Sequence, residues 1–376
     1  MIFVVLSILV YEFYKLSFPI KKVMSFKTTN NYKNLYIVAL ILLIILAGFR
    51  SEHVGYDTYN YYKNIEIMSE LNDFNSGFEY EVLYKFICFI AIKIFGDVNL
   101  SFMFMCIVCE TIIIVCIHTA FKKMSPNIAL SMFLFVTVDL YLRGYDQLRQ
   151  CVAIAVLILG CKFMLDHNIC GYISMNIFAF LFHKTAIIFI PIALLYWINK
   201  KNVYINYILI VLITVFYCLF NNEIAEFISY ILKRDYANPI FKADNEFSTI
   251  GILELCCNTL IFMFFFVYMI YCRRKKIQLD NKYYIFLNMF FSSLAFFYIS
   301  AICGSQLQYE RMAYYFYWSL LIMVPLFLDT LTNKKLKNIT TIGMMLCGMG
   351  YLIVSIIINA NGCIPYNTIC LRHHAV

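Results

Sequence analysis

Arginines stand at a few ends of apolar stretches in this 376-residue chain, with acids, a histidine and aromatic rings close by in sequence. The groups are Gly48-Phe49-Arg50, Gly55-Tyr56-Asp57-Thr58-Tyr59-Asn60-Tyr61, Phe78-Glu79-Tyr80, Arg143, Leu148-Arg149-Gln150, Phe182-His183-Lys184, Glu310-Arg311 and Ile364-Pro365-Tyr366. A guanidinium presents a planar fork suited to phosphate or carboxylate. Carboxylates and an imidazole are candidate general bases, and tyrosine rings suit the apolar faces and hydroxyls of sugars. Such a set could transfer a group at a site that holds anions.

The elements that carry these residues belong to a membrane. Hydrophobic residues make up 62%, charged residues 14%, and mean hydropathy is +0.76, whereas soluble domains run at about 25% charged. A spanning helix needs roughly 20 apolar residues, and with interruptions counted the chain holds about a dozen such stretches. The expected class is an all-α, polytopic integral membrane protein of about 12 transmembrane helices plus short interfacial or re-entrant helices, one transmembrane domain over residues 1–376. The longest polar stretches, near 50–81 and 221–249, are too short for independent cores and are read as outer loops. The amino terminus lacks a basic residue before its apolar run and a small-residue cleavage pattern after it, so that run is expected to remain as the first helix. Of 15 cysteines, most lie in apolar runs, where Cys acts as a small hydrophobe. Only Cys363 and Cys370 share a terminal polar segment where pairing is plausible.

The net charge of +8 is spread loop by loop, which excludes a nucleic-acid face. The basic clusters at Lys21 to Lys33, Lys122-Lys123, Lys200-Lys201, Arg273 to Lys282 and Lys334 to Lys337 mark cytoplasmic loops by the positive-inside rule. Both termini then lie outside. The segment from Arg50 to Glu81, with seven acids against two bases, is also outside. Val82 to Phe95 is too short to cross and is expected to be interfacial or re-entrant. Ile128 to Leu142 is expected to cross once, and Gly171 to Ile198 to break at His183-Lys184. Further spans are expected near Asn99 to Ala120, Arg149 to Leu165, Tyr204 to Phe220, Ile250 to Tyr271, Tyr283 to Cys303, Met312 to Thr330 and Ile339 to Asn359. Arg50, Asp57, Glu79, Arg143, Arg149, Gln150, His183, Arg311 and Tyr366 were not used to set this topology, yet all fall on the outer side. For a single tyrosine the simpler reading is a belt aromatic at the interface. Outer arginines need more explanation, because the insertion rule depletes that face of basic residues. Glu110, mid-helix, is read as a structural hydrogen-bond partner across helices.

In order and spacing, these motifs resemble the EpsG family, the Wzy-like polymerases of bacterial exopolysaccharide, capsule and O-antigen synthesis. The resemblance runs from Gly48-Phe49-Arg50 through Leu148-Arg149-Gln150 and Phe182-His183-Lys184-Thr185-Ala186 to Glu310-Arg311-Met312-Ala313-Tyr314-Tyr315 and Ile364-Pro365-Tyr366. Cys151 departs from the pattern, where a smaller residue is commoner. The family implies a glycosyltransferase of the bacterial plasma (inner) membrane that joins polyprenyl-pyrophosphate-linked oligosaccharide repeats at the outer face. Arg149 and Arg311, with Arg50 and Arg143, are then candidates for pyrophosphate, and Gln150 for a phosphate or sugar oxygen. Tyr59, Tyr315 and Tyr366 are candidates for lining the sugar path. His183, Asp57 and Glu79 are the candidate bases. Membrane lipid, a flippase and a chain-length regulator are the implied partners, with no nucleic acid; no cofactor or metal is expected. Two alternatives carry the same arginines: a flippase or transporter of the lipid-linked sugars, and an O-antigen ligase-like transferase. A transporter commonly has internal repeats and a midplane site, and neither is visible here.

Overall fold

The computed structural model describes residues 7–12, 26–191, 203–220, 249–303 and 306–369, with Glu223 and Glu226. The helices are α1 (Phe26–Gly48), α2 (Thr58–Leu71), α3 (Val82–Phe95), α4 (Val98–Met124), α5 (Ile128–Thr137), α6 (Leu140–Asp146), α7 (Leu148–Leu165), α8 (Ile169–Phe180), α9 (Val203–Leu219), α10 (Thr249–Arg274), α11 (Asn281–Cys303), α12 (Gln306–Tyr317), α13 (Leu320–Asp329) and α14 (Lys334–Ile357), with a 3-10 helix at Lys184–Phe189. Among the described residues there is no strand, only an isolated antiparallel bridge between Arg50 and Thr368. Among the described residues six stretches are long and apolar enough to cross a membrane, or seven if α5 and α6 count as one bent span. Asn34–Gly48, Ile169–Phe180 and Tyr204–Leu219 are shorter apolar helices. The chain is therefore a helical, multi-pass membrane protein, and the described residues do not confirm the expected twelve or so spans. Most of the first apolar run, residues 192–202 and nearly all of the 221–249 loop lie outside the described residues.

The chain divides into two compact units, residues 1–186 with 331–376, and residues 187–330. In the first unit α4 packs on α1, α2, α3 and α7, α7 packs on α8, and α14 packs on α5. The last contact depends on Gly348, where an added Cβ would lie 2.7 Å from Thr137 Oγ1. The helix α2 buries Thr58, Tyr61, Ile65 and Met68, a stripe at helical spacing that seats one face and leaves the other exposed. α3 likewise buries Tyr84, Cys88, Ala91 and Ile92 on one side. Its 14 residues extend about 21 Å, shorter than a hydrocarbon core of about 30 Å.

Ile128 to Leu142, expected to cross once, is not one straight helix. α5 and α6 bend by 43° about Val138 and Asp139, and Asp139 takes a left-handed φ of 67°. That conformation is unfavourable for a residue with a Cβ unless its surroundings fix it. Here they do, since the Asp139 carboxylate accepts from Arg143 Nη2 at 3.3 Å and Asn361 Nδ2 at 2.5 Å. The anticipated break at His183 is present: α8 ends at Phe180, the His183 N–H donates to Ala179 O at 2.9 Å, and the 3-10 helix begins at Lys184.

Gly55 locks the segment between α1 and α2 to α6. Its φ is +103°, and an added Cβ would lie 2.2 Å from Tyr145 O. Next to it Thr58 Oγ1 donates to Tyr145 O at 2.6 Å and the Asp57 N–H donates to Asp146 Oδ1 at 2.8 Å. Gly55→Ala is expected to cost about 1–3 kcal/mol for the strained backbone alone, with the carbonyl clash in addition. A lowered melting temperature of the detergent-solubilised protein would show it; an unchanged one would mean the loop is not clamped in this way.

In the second unit α11 is the hub, packed on by α9, α10, α12 and α13. Aromatic rings fill these contacts, with Tyr207 edge-on to Phe262, Phe266 and Phe291 at 5.2–6.0 Å. α12 and α13 together form one apolar stretch, Tyr309–Asp329.

Candidate functional site

In the first unit, three elements distant in sequence meet at the start of α3. Glu81 precedes that helix in an extended conformation, with φ −69° and ψ 152°. Arg149 sits in the first turn of α7, and His183 in the turn between α8 and the 3-10 helix. One Glu81 carboxylate oxygen accepts from Arg149 Nη1, and the other lies 3.4 Å from His183 Nδ1 and 3.2 Å from the Lys184 N–H that donates to it. The clasp is reciprocal, because the Leu83 N–H donates to Leu181 O at 3.2 Å. The first N–H groups of a helix have no partner within it; here those of α3 and of the 3-10 helix are each served by the other segment.

The electrostatics follow from position. A cation in the first turn of α7 faces the positive end of the helix dipole, so Arg149 needs a compensating anion, and Glu81 supplies it. The Arg149 guanidinium lies 3.9 Å from the ring centroid of Tyr80 and 5.7 Å from those of Tyr61 and Tyr84, within cation–π range. Its Nε has no hydrogen-bond partner among the described residues. The side chains of Glu81, Arg149 and His183 are 2%, 11% and 14% exposed, so an ion brought here would meet a largely dehydrated set of charges. Burial acts to raise the Glu81 pKa, yet the adjacent His183 imidazole, the Arg149 charge and the Lys184 N–H outweigh it and hold the carboxyl well below the usual carboxylate range. The dyad of a carboxylate oriented on an imidazole, beside an arginine, is suited to taking a proton from a hydroxyl and neutralising an anion.

A second cluster in the same unit gathers other residues singled out in the sequence. Arg50 is fully buried, donates from Nη1 to Ala47 O at 2.9 Å and stacks on Tyr145 at 4.9 Å. The Tyr366 ring meets Tyr145 at 6.4 Å and its hydroxyl donates to Leu46 O. Arg143 is held on Asp139, Asp57 has its N–H on Asp146, and Gln150 is buried in α7. These contacts tie the end of α1, the segment between α1 and α2, α6 and the segment after α14 together. Tyr59 is half exposed and stacks on His53 at 6.1 Å with ring planes 7° apart. Glu79 is exposed. Cys370 lies outside the described residues, and Cys363 packs against Leu142 O at 3.9 Å. Glu110, expected to bond across helices, is 1% exposed with no hydrogen-bond partner for either carboxylate oxygen among the described residues; it faces Gly144, where an added Cβ would lie 3.5 Å away, so the helices meet too closely for a donor side chain there.

In the second unit, Arg311 and Tyr315 lie on α12. Tyr315 is fully buried, and its carbonyl accepts from Trp318 Nε1 at 2.8 Å. On the same helix the Tyr314 hydroxyl lies 3.4 Å from Glu310 Oε1 and 3.5 Å from Glu254 Oε1.

Glu81 is the residue that sequence reasoning passed over in favour of Glu79. The signal was its place directly before an apolar helix, where a carboxylate is favoured by the helix dipole. A family model described as the EpsG family matches residues 33–368. No curated protein and no solved structure matches the chain.

Proposed function

The chain belongs to the EpsG family, and on that premise we propose that it is a polysaccharide polymerase, a membrane glycosyltransferase that joins polyprenyl-pyrophosphate-linked oligosaccharide repeats at the outer face of the bacterial plasma membrane, for capsule, exopolysaccharide or O-antigen. The observation that carries this reading is the Arg149–Glu81–His183 set, buried where three segments meet. In the proposed step the acceptor hydroxyl oxygen forms a bond to the anomeric carbon of the donor chain. The bond from that carbon to the pyrophosphate oxygen breaks, and the hydroxyl proton passes to His183. Glu81 orients the imidazole through Nδ1, so Nε2 is the nitrogen that takes up the proton. Arg149 stabilises the charge that develops on the departing pyrophosphate, an effect worth most in a dehydrated site.

His183 is preferred as base over Asp57, whose N–H is engaged at the α6 terminus, and over exposed Glu79. Arg50 and Arg143, buried and engaged within the fold, are assigned to holding the outer loop. Within the first unit Gln150, Tyr59 and Tyr366 remain candidates for contacting sugar; within the second, Arg311 remains a candidate for an anion and Tyr315 for sugar.

The test is His183→Gln in cells lacking the chromosomal copy, with membrane levels of the protein checked. General-base loss lowers a rate by about 10²–10⁴-fold, so the polymer ladder is expected to collapse to single lipid-linked repeats exposed on the outer leaflet. Full-length ladders would overturn the assignment. Repeats accumulating on the cytoplasmic leaflet would instead favour a flippase.

A further inference from the structure

Two cysteines of the second unit, 85 positions apart, meet at the ends of α9 and α11: Cys218 next to the last residue of one, Cys303 the last residue of the other. Both pack on the same cluster of Ile299, Tyr309 and Met312, and both are free thiols in this structure. The neighbouring residues fix the approach, since the Tyr217 hydroxyl donates to the Tyr309 hydroxyl at 3.0 Å and their rings meet edge-on at 5.3 Å.

The side of the membrane follows from loop charge. α9 begins just after Lys200-Lys201, so its carboxyl end is the outer one. α10 ends in Arg273 and Arg274, and α11 begins at Asn281 beside Lys282, which sends the carboxyl end of α11 outward as well. Two separate basic loops thus bring Cys218 and Cys303 to the same face, and that face is the oxidising one. Most cysteines of this chain sit in spans as small hydrophobes; this pair differs because both stand at helix ends and pack on one cluster.

We propose that Cys218 and Cys303 form a disulfide on the outer side of the membrane. The two thiols lose two protons and two electrons as one S–S bond forms. The electron acceptor is the disulfide of an extracytoplasmic thiol–disulfide oxidoreductase, which leaves as a dithiol after exchange through a mixed disulfide. The bond closes the segment between α9 and α11 and pins the cluster that includes Tyr309 and Met312 of α12, the helix that also carries Arg311.

The experiment uses the full chain in its membranes. Free thiols are blocked with N-ethylmaleimide, the protein is reduced, and newly released thiols are labelled with a maleimide of distinct mass before peptide mass spectrometry. The expected result is that Cys218 and Cys303 carry the second label, with a peptide joining them in the unreduced sample. In Cys218→Ser, Cys303 is expected to change to the first label. First label on both cysteines in the wild-type protein overturns the proposal, as does Cys303 that stays protected in Cys218→Ser, because its partner would then be another cysteine.

Discussion

Glu81→Gln is expected to abolish polymer at normal protein levels, while Glu79→Gln leaves the ladder unchanged. The two carboxylates are two residues apart, yet Glu79 is exposed and Glu81 is 4% exposed between Arg149 and His183. Glutamine keeps the shape of Glu81 but removes the charge that holds an arginine which is itself 11% exposed. Breaking a buried ion pair by removing one partner costs about 3–5 kcal/mol, because the remaining charge is left uncompensated. The imidazole also loses the group that fixes its orientation, and a displaced base costs about 10²-fold or more in rate. The readouts are the ladder from complemented cells and the melting temperature of solubilised protein. A silent Glu81→Gln beside an inactive Glu79→Gln would sink the arrangement.

The same carboxyl sets an acid dependence whose sign is fixed. Its folded pKa lies below the unfolded value of about 4.3, so the unfolded chain binds the proton more readily. The stabilisation is therefore complete above about pH 5 and is lost as pH falls from there toward the depressed folded value. Below about pH 5 the gap in melting temperature between wild type and Glu81→Gln should narrow as pH falls. A gap that widens as pH falls below about 5 would contradict the pairing.

Arg149→Lys is expected to fail as completely as Arg149→Ala, with polymer reduced about 10²-fold or more in both. Lysine keeps the charge, but it has neither the plane that lies 3.9 Å over Tyr80 nor the fork that reaches Glu81 while leaving further donors for an anion. The ammonium is also more strongly hydrated, which disfavours it between Tyr61, Tyr80 and Tyr84. Complemented ladders and quantified lipid-linked repeats measure this directly. Full-length polymer from Arg149→Lys would mean that position 149 contributes only charge, and the aromatic cage would have no part in function.

The sequence by itself determined the membrane class, the shortness of the Val82 to Phe95 helix, the break at His183 and the set of arginine, acid and aromatic motifs at the ends of apolar stretches. Each of these rests on local composition or on the 3.6-residue period, which a chain carries in short windows. It did not reveal the bend at Asp139, because the apolar run continues through it and the left-handed turn is held by Asn361, 222 positions away. Nor did it show that Arg50 and Arg143 are held within the fold while Arg149 sits among tyrosines, since all three stand at the edges of apolar stretches. Only the tertiary structure decided which carboxylate serves Arg149 and His183. Glu81 reaches Arg149 across 68 positions and Lys184 across 103. A hydrogen bond of that span is set by how α3, α7 and α8 pack, and side chains two residues apart at a helix entrance point in different directions. Thus Glu79 and Glu81 are alike in type and neighbourhood along the chain, and differ only in what the packing brings to them.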